Sequence, residues 1–142
     1  MARVAVIGAG AWGTALAAHA ARLHHAVRLW GREAQVVEDV NARRENTTFL
    51  PGVSLPGDLR ASNDIEEVVA GADLVILVPP AQHLRETAEA IGPYLGKHTI
   101  VVVGSKGIEE SRLKLMSEVL DETLPELGAT RLAFLSGPTF AR

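Results

Sequence analysis

The sequence contains no cysteine. That excludes disulfides, thiolate metal sites and cysteine nucleophiles together, and it fits a reducing compartment. An excess of positive charge is also missing: 14 Lys and Arg against 17 Asp and Glu leave a net charge of −3. Without a basic cluster there is no electrostatic footprint for DNA or RNA, and no nucleic-acid partner is expected. Apolar runs are short and broken by turn residues, so no membrane span is expected. The opening Met1-Ala2-Arg3-Val4 lacks the charged-then-apolar pattern of a secretory leader, which makes the cytoplasm the expected location. Repeats, low-complexity tracts and internal linkers are absent as well. The 142 residues suit one domain, large enough to bury roughly 68–70% of its unfolded surface.

What is present is an alternation of two kinds of segment. Arg3–Ile7, Ala26–Trp30, Leu59–Ser62, Asp73–Val78, Thr99–Val103 and Arg131–Leu135 are short and apolar, several of them β-branched, and read as strands. Between them, Ala11–Leu23, Glu33–Arg44, Gln82–Ile91 and Ser111–Leu124 read as helices. His24 and His25 fall where the first should end. A further helix is expected to start at Asn63 as cap, carry Glu66 and Glu67 in its first turn and run through Ala70. Glu109 and Glu110 read as acids at the start of the 111–124 helix. Residues 46–57, with Pro51-Gly52 and Pro56-Gly57, read as a loop. Strands apolar on both faces and separated by helices predict a doubly wound, mostly parallel α/β sheet of the Rossmann type, one domain over residues 1–142.

The first strand runs into Gly8-Ala9-Gly10-Ala11-Trp12-Gly13. A G-x-G-x-x-G spacing alone is weak, but here a strand precedes it and a helix follows. Gly8 suits the tight turn, Gly10 lets backbone approach a pyrophosphate, and Gly13 lets the helix pack against the strand. At the end of the second strand, where an acidic residue often meets a ribose 2′-hydroxyl, stands Arg32, followed by Glu33. Arginine there suits a 2′-phosphate, so NADP(H) is the preferred cofactor and NAD(H) an acceptable one. Lys106, in Gly104-Ser105-Lys106-Gly107, follows the fifth strand. It therefore emerges at the same sheet edge, as a point charge for a phosphate or a polarised carbonyl. Gly137 and Thr139, in Ser136-Gly137-Pro138-Thr139, follow the last strand and offer an amide and a hydroxyl there. His19, His24, His25, His83 and His98 have no ligand spacing, and no metal is expected. No serine sits in a nucleophile elbow.

These segments together resemble bacterial NAD(P)-dependent glycerol-3-phosphate dehydrogenase. The resemblance is carried by GAGAWGTALA at Gly8–Ala17, LWGRE at Leu29–Glu33, ENTTFLPG at Glu45–Gly52, ADLVILVPP at Ala72–Pro80, SKGIE at Ser105–Glu109 and SGPTFA at Ser136–Ala141. The motifs occur in the family's order over the whole chain. The resemblance implies hydride transfer between NAD(P)H and dihydroxyacetone phosphate, giving sn-glycerol 3-phosphate for phospholipid synthesis. It implies cofactor contacts at Gly8, Gly10, Ala11, Trp12, Gly13, Arg32, Phe49, Lys106 and Ala141. It implies substrate contacts at Lys106, Gly137 and Thr139. Ala11 stands where the family usually has serine or threonine, and Pro80 where it usually has serine. Weaker cofactor binding is the most that either change should cause.

Family members are more than twice as long. Their second, helical domain carries the general-acid lysine and most of the family's dimer contacts. By this resemblance the chain lacks that domain and has no catalytic residue of its own. It is expected to bind cofactor with little turnover, within a protein that is a homodimer at full length. Two other readings fit the same residues: the cofactor domain of another hydroxyacid or sugar-acid dehydrogenase, and a non-enzymatic module that senses NADP(H).

Overall fold

The structure is a computed structural model and describes residues 1–136; Gly137, Thr139 and Ala141 lie outside the described residues. The chain alternates β1 (Arg3–Ile7), α1 (Ala11–Arg22), β2 (Ala26–Trp30), α2 (Ala34–Glu38), β3 (Arg60–Ser62), α3 (Ile65–Val69), β4 (Leu74–Leu77), α4 (Leu84–Ile91) and β5 (Ile100–Val103). A hairpin of β6 (Ile108–Glu109) and β7 (Lys114–Leu115) follows, then α5 (Met116–Thr123), α6 (Gly128–Arg131) and β8 (Leu132–Phe134).

Six strands form one sheet in the order β3-β2-β1-β4-β5-β8. Every pairing in it is parallel. The order reverses between β1 and β4, which opens a crevice at the carboxyl ends of those strands.

Strand periodicity divides the core into two layers. Val4 and Val6 of β1 join Val27 and Leu29 of β2 beneath Ala17, Ala18 and Ala21 of α1 and Val36 of α2. Ala5 and Ile7 face the other way, with Val75, Leu77, Val101 and Val103, beneath Val68 of α3, Leu84, Ala88 and Ile91 of α4 and Val119 and Leu120 of α5. Side chains alternate faces along a strand, so strands apolar on both faces need helices on both. The alanines of α1 let that helix lie close to the sheet.

Four expectations are corrected. Asp64, not Asn63, caps α3: its Oδ1 accepts the amides of Glu66 at 2.9 Å and Glu67 at 3.3 Å. Asn63 instead donates to the carbonyls of Gly31 and Arg32. The helix expected over 33–44 is α-helical only to Glu38 and widens into a π-helical turn over Asp39–Arg43. That turn is tied down at its first residue and at its middle. Buried Asp39 accepts from Gln35 and Thr47, and Asn41 bonds both backbone groups of Ala61. The helix expected over 111–124 begins only at Met116, because Lys114 and Leu115 pair with Glu109 and Ile108. Glu109 and Glu110 thus do not start a helix. Glu109 is a buried strand residue whose carboxylate meets Arg85.

Candidate functional site

The turn after β1 shows what each glycine is for. Gly8 has φ +122°, where an L side chain is strained, and an added Cβ would lie 2.9 Å from the carbonyl oxygen of Val78. A Cβ on Gly13 would lie 1.8 Å from the carbonyl oxygen of Gly8, so α1 crosses the turn in backbone contact. Around a Cβ on Gly10 there is no protein atom within 4 Å. Packing does not demand glycine at that position; the open space belongs to the cleft. Gly10 is also the N-cap of α1, with no side-chain cap and no acid in the helix's first turn. The first amides of α1 therefore point to the cleft without a competing carboxylate, in the geometry that receives an anion.

The cleft itself measures about 980 Å³. Gly8, Gly10, Ala11, Trp12 and Gly13 line it together with Arg32, Phe49 and Lys106. The described residues named from the sequence as cofactor or substrate contacts therefore all line one cleft. They come from the ends of β1, β2 and β5 and from the 46–50 loop. Among the described residues, no group of three or more histidines or acids is placed to hold a metal ion.

Several residues that shape the cleft were not singled out by sequence. Asn46 is fully buried; its Nδ2 donates to the carbonyl of Ala9 at 2.9 Å and to the Thr14 hydroxyl at 2.8 Å. Its Oδ1 accepts the Phe49 amide at 3.0 Å. One asparagine thus holds the glycine turn, α1 and the loop carrying Phe49 in register. Its signal was the ENTTF stretch, which gave no reason to choose Asn46 over its neighbours. The Ser105 hydroxyl donates to the carbonyl of Pro79, tying the Lys106 loop to the end of β4. Gln82 clasps the hairpin beyond it, donating to the Ile108 carbonyl at 2.9 Å and accepting the Glu110 amide at 3.0 Å.

Electrostatics concentrate around α4. Arg85 donates Nε and Nη2 to the two oxygens of Glu109 at 2.8 and 2.9 Å, and Nη2 again to Glu122 at 2.7 Å. Lys114 closes the group with Glu122 at 2.9 Å. The hydrogen bond from Lys114, joined by that from Arg85, pulls the Glu122 carboxyl down to about 2. Arg85 likewise holds Glu109 below the usual carboxylate range. Arg32 and His83, which both line the cleft, meet one oxygen of Glu86, Arg32 at 2.6 Å and His83 at 2.8 Å. Arg32 first, then His83, lowers the Glu86 pKa. Arg32 is therefore engaged by a carboxylate rather than simply solvated. Glu33 is the N-cap residue of α2, makes no side-chain capping bond and lines the cleft beside Arg32.

A parallel sheet in this order, with a glycine turn feeding a helix at its switch point, defines the Rossmann class of α/β domain. The model of the family described as NAD-dependent glycerol-3-phosphate dehydrogenase N-terminus matches residues 3–142, and the chain belongs to that family. Among curated relatives it is 48% identical over 139 residues to a glycerol-3-phosphate dehydrogenase [NAD(P)+] of Syntrophotalea carbinolica, covering 98% of this chain and 42% of that protein. It is 50% identical over 141 residues to a protein of the same description from Paramagnetospirillum magneticum, covering 99% of this chain and 50% of that one. Among solved structures, the glycerol-3-phosphate dehydrogenase of Coxiella burnetii superposes with a TM-score of 0.85 at 30% identity, over 98% of this chain and 42% of that one. The chain thus spans half or less of the length of these relatives.

Proposed function

We propose that this chain is the cofactor-holding part of an NAD(P)-dependent glycerol-3-phosphate dehydrogenase. The whole protein would interconvert dihydroxyacetone phosphate and sn-glycerol 3-phosphate, the step that supplies phospholipid synthesis, as a cytoplasmic homodimer. The open position at Gly10 carries the reading: the turn leaves room for a ligand where nothing in the protein needs it. The pyrophosphate of the dinucleotide lies over Gly8–Gly13 and receives the first amides of α1. Trp12 and Phe49 border it. Arg32 faces the adenosine ribose and favours NADP(H) over NAD(H), with Glu33 beside it as an acceptor for a free hydroxyl. The cofactor supplies the hydride. Lys106 stands at the same edge and places its charge on cofactor and substrate; Gly137 and Thr139 complete the substrate contacts and Ala141 the cofactor contacts, as the family resemblance implies.

Reduction of a ketone needs a proton donor within hydrogen-bond reach of the forming alkoxide. By the resemblance that donor belongs to the family's second domain, so these residues alone bind cofactor and turn over little.

Trp12 and Trp30 both line the cleft, which makes tryptophan fluorescence the direct test. Titration with NADPH and with NADH should quench it saturably, while dihydroxyacetone phosphate should not cause this chain to oxidise NADPH. A folded chain whose fluorescence neither dinucleotide changes, or rapid enzyme-dependent NADPH oxidation, would contradict the reading.

A further inference from the structure

Arg32 follows β2, whereas Glu86 and His83 belong to the segment after β4. In the sheet β1 lies between those strands. The contact between Arg32 and Glu86 thus joins the segments on either side of β1, from cleft-lining Arg32 to a carboxylate held by cleft-lining His83, between residues 54 apart in sequence. Both side chains are more than half exposed. An exposed pair of this kind adds little to folding stability, so its consequence is to be sought in the cleft. Glu86 is also held in place: one of its oxygens receives both Arg32 at 2.6 Å and His83 at 2.8 Å. A carboxylate fixed against Arg32 takes up a guanidinium donor that an anionic ligand group could otherwise use.

We propose that Glu86 is a specificity-determining residue that restrains the preference for a 2′-phosphorylated dinucleotide by competing for Arg32. The proposal rests on the reading of the cleft as a dinucleotide site. A 2′-phosphate carries close to two negative charges near neutral pH. To reach Arg32 it must displace Glu86 or share the guanidinium with it, at the expense of repulsion between like charges. A free 2′-hydroxyl is uncharged, needs nothing from Arg32 and can donate to a carboxylate. Glu86 therefore penalises NADP(H) and leaves NAD(H) nearly unaffected. An arginine after β2 does not by itself set the preference; its partner on α4 sets how much of that charge a ligand can use.

The test is the dissociation constant of NADPH and of NADH, followed by tryptophan fluorescence, for the wild type, Glu86→Gln, Arg32→Gln and the double variant. Loss of one exposed pair and one nearby like charge predicts that Glu86→Gln tightens NADPH on the order of fivefold and moves NADH less than about twofold. With Arg32 already replaced, the Glu86 substitution should change the ratio of the two constants much less. Glu86→Ala should repeat the shift and guards against a peculiarity of glutamine. An unchanged ratio in Glu86→Gln and Glu86→Ala, or equal movement of both constants, overturns the proposal and makes the contact structural only. If the folded wild type binds neither dinucleotide, the cleft reading falls and takes this proposal with it; wild-type binding with an unmoved ratio overturns this proposal alone.

Discussion

A Cβ added to Gly13 would sit 1.8 Å from the Gly8 carbonyl oxygen, while one added to Gly10 would find no protein atom within 4 Å. The two positions share a motif but answer to different partners, so their alanine variants should separate. In Gly13→Ala the added Cβ is fixed by the backbone and meets a backbone carbonyl, so no rotamer relieves the clash. It should cost about 3 kcal/mol or more, far above the roughly 1 kcal/mol that alanine returns in helix propensity. Gly10 has φ −72°, which alanine adopts freely. Gly10→Ala should cost only about 1 kcal/mol or less, from the poorer N-cap, yet weaken dinucleotide binding more than tenfold. Urea unfolding beside a fluorescence titration checks both; equal stability losses would remove the distinction. The motif was legible because glycine leaves a trace at fixed spacing. Asn46, which holds the turn in place, was not: a buried asparagine in a loop looks like an exposed one until its partners are seen.

The segment from α4 to α5 is held by charge as much as by apolar contact. Arg85 joins Glu109 of the hairpin to Glu122 of α5, and Lys114 of the hairpin joins Glu122 again. Glu122 is depressed in the folded protein from the ordinary glutamate value of 4.5 to about 2. A depressed carboxylate contributes stability above its unfolded pKa and loses that contribution as pH falls through the folded one. Between about pH 4.5 and about 2, the wild type should therefore lose thermal stability more steeply than Glu122→Gln, which is less stable at pH 6 and has no such carboxyl to protonate. Melting both proteins across pH 2–6 measures the difference; parallel curves would show that the network adds nothing. The hairpin itself was not apparent in the sequence. Leu113–Leu124 has helical apolar spacing, but two-residue strands carry no period, and the pairing is dictated by Arg85, Gln82 and the buried Glu109.

Two core layers share one sheet across the whole molecule. Leu29 is fully buried on the side of α1, and Leu77 on the side of α4. Each strand backs both layers, so neither layer can melt and leave the other its strands. Leu29→Ala and Leu77→Ala should each cost about 2–5 kcal/mol, and each should unfold in one transition seen alike by circular dichroism and tryptophan fluorescence. Two separated transitions would show the layers to be independent. A contact from β2 to α3 belongs to this scale too. Arg28 donates to the Glu67 carbonyl at 2.6 Å, in the last turn of α3, where the backbone is partially negative.

The six strands of the parallel sheet, the helix over the glycine turn and the convergence of Gly10, Arg32 and Lys106 on one edge were determined by the sequence itself. Apolar runs ending in glycine or proline report strands, and parallel strands all deliver their ends to the same side. What the tertiary structure alone decided were contacts between residues distant in the chain: Asn63 drawn to the Gly31 and Arg32 carbonyls, which leaves the cap to Asp64, Asn46 beneath the turn, Glu109 against Arg85, and Glu86 on Arg32. Each depends on where two separate elements come to lie, and neither residue of such a pair carries the other's position in its own surroundings.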